Sequence, residues 1–270
     1  MIIILLVLVG LALGSFINAL IWRMHVNQTT KQKLSIANGR SMCPNCKHQL
    51  AWYDLIPVIS WLTLGGKCRY CKKPISIQYP VVEIIFSALL VVSYLWWPYE
   101  LGSLVSWVLF SLWVVMLVLL VAMALYDIKW LELPTELIYL LGIVSTMFVG
   151  VMVVDQEKTQ LLLSSVIGAI GLGGLFYILY QVSKGGWIGG GDVRLGFVMG
   201  LFLGWQQALL GLSLAAYIGT LIVVVAVVVG KYKKRMKLPF GPLLITGWFI
   251  SFLWGQQIID WYLGLIGISA

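Results

Sequence analysis

Eight apolar stretches decide what this chain can fold into. They run at about 1–22, 81–97, 103–126, 134–154, 161–182, 193–205, 206–230 and 241–264. A helix needs roughly 20 apolar residues to cross the hydrocarbon core of a bilayer. Lipid offers the backbone no hydrogen-bonding partner, so such stretches must fold as helices. Composition points the same way: of 270 residues, 61% are hydrophobic and only 10% are charged, with a mean hydropathy of +0.97. A soluble domain carries about a quarter of its residues charged. Secreted, nuclear and free cytosolic classes are thereby excluded. The expected fold is an all-α polytopic membrane protein with about eight transmembrane helices.

The net charge of +8 arises from 18 basic and 10 acidic residues. In a soluble protein that excess suggests nucleic acid. Here it is first a topology signal, with attraction to anionic lipid as a secondary use and no nucleic acid as partner. No basic residue precedes the first apolar run and Arg23 follows it, so residues 1–22 read as an uncleaved anchor with its N-terminus outside. Alternating sides from there places seventeen of the 18 basic residues on one side, with only Lys158 opposite. That set includes Arg23, Lys31, Lys33, Arg40, Lys129, Lys184, Arg194 and the run from Lys231 to Lys237. The positive-inside rule makes this side the cytoplasm of a plasma or inner membrane. The chain divides into a first helix (1–22), a cytoplasmic loop (23–80) and a seven-helix membrane domain (81–270).

All four cysteines lie in that loop, as Cys43-Pro-Asn-Cys46 and Cys68-Arg-Tyr-Cys71, with 21 residues between the pairs. Two CxxC knuckles so spaced suit a tetrahedral thiolate site for zinc, with iron as the alternative. A reducing compartment argues against disulfides. Four thiolates leave no open position for a reactive water, so such an ion is structural. A loop this short has too small a core to hold itself together without one.

Only 10 acidic residues need weighing. Glu100, Asp155, Glu157 and Asp260 fall at outer ends of spans, Asp54 and Glu83 belong to the cysteine-loop region, and Glu132 and Glu136 lie at the cytoplasmic mouth. Asp127 closes a long apolar run, and Asp192 follows Gly185-Gly186-Trp187-Ile188-Gly189-Gly190-Gly191. The topology sets these two level with one another. Residues 193–205 make a helix of only about 20 Å against a hydrocarbon core of about 30 Å, so Asp192 is expected below the membrane surface. Carboxylates at that depth are usually functional. Two within reach of each other cannot both ionise easily, which suits general acid–base work. The alternatives are helix capping or pairing with Arg194 or Lys129, and a proton or cation pathway.

The ordered motifs resemble the type IV prepilin peptidases, membrane aspartyl proteases of pilus, competence and type II secretion systems. They run from Gly14-Ser15-Phe16-Ile17-Asn18 through both CxxC pairs, the segment Trp52 to Leu62, and Tyr79-Pro80-Val81-Val82-Glu83. They continue with Asp127, Leu133-Pro134, Gly189-Gly190-Gly191-Asp192-Val193-Arg194-Leu195 and Pro239-Phe240-Gly241-Pro242. The resemblance implies that Asp127 and Asp192 are the catalytic pair. It implies cleavage of the basic leader of prepilins or pseudopilins in the membrane, at its cytoplasmic face. It further implies N-methylation of the new N-terminus from S-adenosylmethionine, an activity associated with the N-terminal part. The rivals are a peptidase without methyl transfer, and a carboxylate-lined transporter or zinc-braced assembly scaffold. Two positions depart from the family pattern: Thr135 stands where an Asp is frequent, and Ser87 where Gly is.

Overall fold

The computed structural model describes residues 1–30, 35, 40–156, 159–230, 238–265 and 267. Lys31, Lys33, Glu157, Lys158 and the basic run from Lys231 to Lys237 lie outside the described residues. The chain forms two compact units, Met1–Leu95 and Trp96–Ala270.

In the first unit, α1 (Ile2–Thr29) packs on α3 (Gln78–Leu95), with a 3₁₀ turn (Trp52–Leu55) and the short α2 (Ile59–Thr63) between them in sequence. The contact rests on two pairs spaced by four residues. A Cβ on Gly10 would stand 2.5 Å from Ser87 Cα, and one on Gly14 would stand 2.6 Å from Glu83 Cα. Small residues at this spacing let helix backbones meet where hydrocarbon supplies no hydrophobic drive between helices. Ser87 exploits the closeness: its hydroxyl donates to the Val7 carbonyl at 3.2 Å.

The second unit contains α4 (Leu104–Trp130), α5 (Thr135–Gln156), α6 (Thr159–Gly168), a π turn (Ala169–Gly173), α7 (Gly174–Ser183), α8 (Gly190–Val228) and α9 (Gly241–Leu265). Its core is aromatic. Trp113, fully buried, lies 4.2 Å from Phe252 between ring centroids and stacks on Phe202 and Phe249.

Among the described residues, seven helices are long and apolar enough to cross a membrane, with α6 and α7 counted as one stretch. The longest, α8, has 39 residues and would measure about 58 Å if straight, twice the hydrocarbon thickness. It is not straight. Gly204 has φ 72° and ψ 173°, a conformation that side-chain-bearing residues avoid. Beyond it, a Cβ on Gly211 would collide with the Met199 methyl, although twelve residues of continuous helix would separate them by about 18 Å. The chain therefore doubles back at Gly204, and α8 makes the sixth and seventh of eight passes among the described residues. The two apolar stretches read as 193–205 and 206–230 meet at this reversal.

Gly168 and Gly200 stand backbone to backbone, each leaving no room for a Cβ on the other, whereas a Cβ on Gly171 would meet nothing within 4 Å. Gly200→Ala is expected to lower unfolding stability in detergent micelles by roughly 1–3 kcal/mol, the usual cost of overpacking. Gly171→Ala is expected to leave the melting temperature within about a degree or two of wild type, as for a substitution that touches nothing.

Candidate active site and metal centre

The four cysteine sulfurs all lie within 4.8 Å of one another, with Cys43 Sγ 3.9 Å from Cys71 Sγ. Thiolates around a tetrahedral ion at about 2.3 Å would be about 3.8 Å apart, so the cluster fits a single metal ion. The backbone explains why they converge. Cys43 N donates to His48 O at 3.0 Å, and Lys47 N to Cys43 O at 2.9 Å. In the second knuckle, Cys68 N donates to Lys73 O at 2.9 Å, and Lys72 N to Cys68 O at 3.0 Å. Lys47 and Lys72 both take left-handed φ, 60° and 59°. The two knuckles are thus the same turn used twice, each presenting its pair of thiols to the other.

The second knuckle is tied to the turn Trp52–Leu55. Asp54 accepts from Arg69 Nε at 2.7 Å and from Tyr70 Oη at 3.2 Å. Burial opposes the charge on Asp54, but the bonds from Arg69, Ala51 and Tyr70 outweigh it and hold the carboxyl below the usual carboxylate range. His25 lies in the last turns of α1, and exposed His48 packs against Tyr70 with the rings tilted by 35°; among the described residues the cluster holds the four cysteines and neither histidine.

In the second unit, Asp127 and Asp192 lie on chain segments that both approach Leu133. Asp127 sits in the last turn of α4, which Leu131 ends in a left-handed cap with its N–H on Asp127 O. Its side chain is buried, and Oδ2 accepts from Gly241 N at 3.1 Å. Gly241 opens α9, where amides have no partner within the helix. Asp192 occupies the first turn of α8 and is half-buried; its Oδ2 accepts from Gly189 N at 3.2 Å. Each carboxyl therefore accepts from an amide at a helix start, a bond that offsets part of the cost of its burial.

Leu133 holds the arrangement from one side. A Cβ on Gly191 would stand 2.9 Å from Leu133 Cβ, and one on Gly241 would stand 3.2 Å from Leu133 Cδ2 and 2.7 Å from Asp127 Oδ2. Both glycines are therefore fixed by close approach. Arg194 and Lys129, weighed in sequence as partners of the aspartates, are engaged elsewhere. Arg194 donates to Thr135 Oγ1 at 2.6 Å and to Gly190 O at 3.2 Å, and Lys129 lies over the Trp130 ring at 5.1 Å. Thr135, one of the departures from the family pattern, thus joins the start of α5 to the start of α8. Sequence reading missed the Gly241 amide and the Thr135–Arg194 bond. The Pro-Phe-Gly-Pro segment was the one available signal, for it starts a helix beside the Asp127 level.

Residues 8–97 match the bacterial peptidase A24 N-terminal domain, and residues 113–224 match the type IV leader peptidase family. The chain is similar to proteins named prepilin leader peptidase/N-methyltransferase. It is 30% identical over 284 residues to one from Pseudomonas aeruginosa, covering 97% of this chain and 94% of the relative. It is 31% identical over 255 residues to one from Bacillus subtilis, covering 94% and 95%. It is 29% identical over 282 residues to one from Aeromonas salmonicida, covering 96% and 93%. No solved structure matches it. Fold and matches together define a multi-pass membrane enzyme of the peptidase class. The chain belongs to the type IV leader peptidase family.

Elemental analysis of freshly purified protein is expected to give one metal ion per chain, and Cys68→Ser to lose it. Circular dichroism should show the membrane helices unchanged in that variant, because the cysteine cluster lies outside them.

Proposed function

We propose that this enzyme cleaves the leader from prepilin-like proteins at the cytoplasmic face of the membrane, with Asp127 and Asp192 as its catalytic pair. What supports the reading is that the carboxyl at the end of α4 and the one at the start of α8 lie on elements that converge on Leu133, each carboxyl bonded to an amide at a helix start. In the reaction, one ionised carboxyl takes a proton from a water molecule while its protonated partner polarises the scissile carbonyl. The resulting tetrahedral carbon expels the amine, which takes its proton from the acid that received one from water.

A groove of about 610 Å³ lined from α5 and α8 by Ile138, Gly142, Met147, Phe197 and Leu201 gives a membrane-inserted substrate helix an apolar flank to lie along. The basic leader would stay on the cytoplasmic side, near Glu132 and Glu136. The same orientation puts the loop 23–80 in the cytoplasm, where reduced cysteines hold a structural zinc ion. That ion would brace the loop and take no part in cleavage.

The relatives' names further support N-methylation, an activity that we place in the N-terminal part of the chain. S-adenosylmethionine, when bound, supplies the electrophilic methyl group. In the first unit, buried Asn18 donates to Gly14 O and Tyr79 O and accepts from Gln78 Nε2 at 3.1 Å, so its amide braces α1 against α3. Ser87 serves helix packing against Gly10, so its departure from the family pattern is accommodated structurally.

Purified enzyme incubated with a prepilin is expected to lose leader cleavage by roughly a thousandfold or more with either Asp127→Asn or Asp192→Asn, because residues acting as a unit fail together. Normal cleavage by either variant would refute the pair. Gly241→Ala, which drives a methyl group onto Asp127, is expected to slow cleavage by about a hundredfold with little change in substrate KM. Label from S-adenosylmethionine on the mature N-terminus checks the methyl transfer.

A further inference from the structure

The helix α3 has 18 residues and so measures about 27 Å, slightly less than a hydrocarbon core of about 30 Å. Glu83, five residues after Gln78, lies about 7 Å along this helix, within the apolar stretch that begins at residue 81. Its carboxyl is buried, and Oε2 accepts the Val58 N–H at 2.7 Å. This bond fixes Val58, a residue of the loop, at the depth of Glu83.

Val58 is also where the backbone is forced. It is β-branched yet has φ 61°, a region such residues rarely enter unless the surroundings impose it. The reversal there separates the turn Trp52–Leu55 from α2. On its two sides, Trp52 is 77% exposed, Leu55 39%, Ile59 57% and Leu62 63%. Four large apolar side chains exposed within eleven residues make an unusual surface for water but an ordinary one for lipid. The local backbone is equipped for such a place: Ser60 N donates to Ile56 O and Leu62 N to Val58 O, each at 3.0 Å. Irregular chain survives at membrane depth only when its polar groups are satisfied by protein.

We propose that Trp52–Leu62 is a re-entrant membrane anchor. It dips into the leaflet at the start of α3, with Leu55, Ile59 and Leu62 against lipid acyl chains and Trp52 at the headgroup level, where indole rings settle. Glu83 is the latch that holds it at depth, through Val58. The metal centre rides on this anchor, because Asp54 grips Arg69 beside Cys68 and Trp61 Nε1 donates to Ile75 O at 3.2 Å. The cysteine knuckles are thereby carried at a fixed height against the membrane surface. This proposal concerns lipid contact and stands apart from the reading of the enzyme's reaction.

The test places the photoreactive residue benzoylphenylalanine at Ile59, Leu62 or Lys73, one site at a time, in full-length protein. Each is reconstituted in phosphatidylethanolamine–phosphatidylglycerol vesicles whose acyl chains carry a radiolabel. Irradiation is expected to yield severalfold more lipid adduct from positions 59 and 62 than from position 73, an exposed lysine of the second knuckle. Equal labelling at the three sites would overturn the proposal, as would adducts at 59 and 62 formed only with an added prepilin. In a second measurement Glu83→Leu, which removes the acceptor for Val58 N–H, is combined with the photoreactive residue at position 62. Lipid adduct should fall severalfold there; unchanged adduct would overturn the role of Glu83 as the latch.

Discussion

Hydrocarbon gives a backbone amide nothing to bond to, and that constraint organises this molecule from end to end. It makes the passes helical, and it leaves a problem wherever a helix begins or a loop reaches membrane level. The solutions found here share one form. Gly241 N donates to Asp127, Gly189 N to Asp192 and Val58 N to Glu83. Three of the few carboxyls in the chain are each committed to a backbone amide that the regular structure cannot satisfy.

The same economy explains the glycines. A carboxyl can reach an amide at a helix start only if nothing stands between them, and Gly241 is held bare by Asp127 and Leu133 together. Elsewhere, glycine pairs replace the missing hydrophobic drive by letting backbones touch, at Gly168 with Gly200 and at Gly211 with Gly247. Packing of α8 on its neighbours thus sets where its first turn ends up, and with it the position of Asp192.

Much of this was legible in the sequence. The spans were, because apolar runs of membrane length have one fold open to them. The convergence of the cysteines was too, because CxxC spacing specifies a turn, and the turn repeats. Asp127 and Asp192 stood out because acids are so scarce that each could be weighed singly. What stayed hidden was everything that depends on backbone donors, which no side-chain letter reports. Gly241 could be read as a helix start but not as a ligand of Asp127. Val58 looked like any apolar loop residue, yet it carries the most strained backbone of its segment. The destination of Arg194 was equally invisible: its neighbour Asp192 was the obvious partner in sequence, and Thr135, 59 positions away, is the actual one.

The reversal at Gly204 bears on how the protein is made. The turn carries Gly204-Trp205-Gln206-Gln207 and no charged group, so no loop of any length lies between the sixth and seventh passes. Carrying those four residues across the bilayer requires no ion to be transferred. The two passes can therefore enter the membrane together as one folded hairpin. The orientation of the seventh is then inherited from the sixth, whose own start, with Arg194, supplies the positive charge that fixes it.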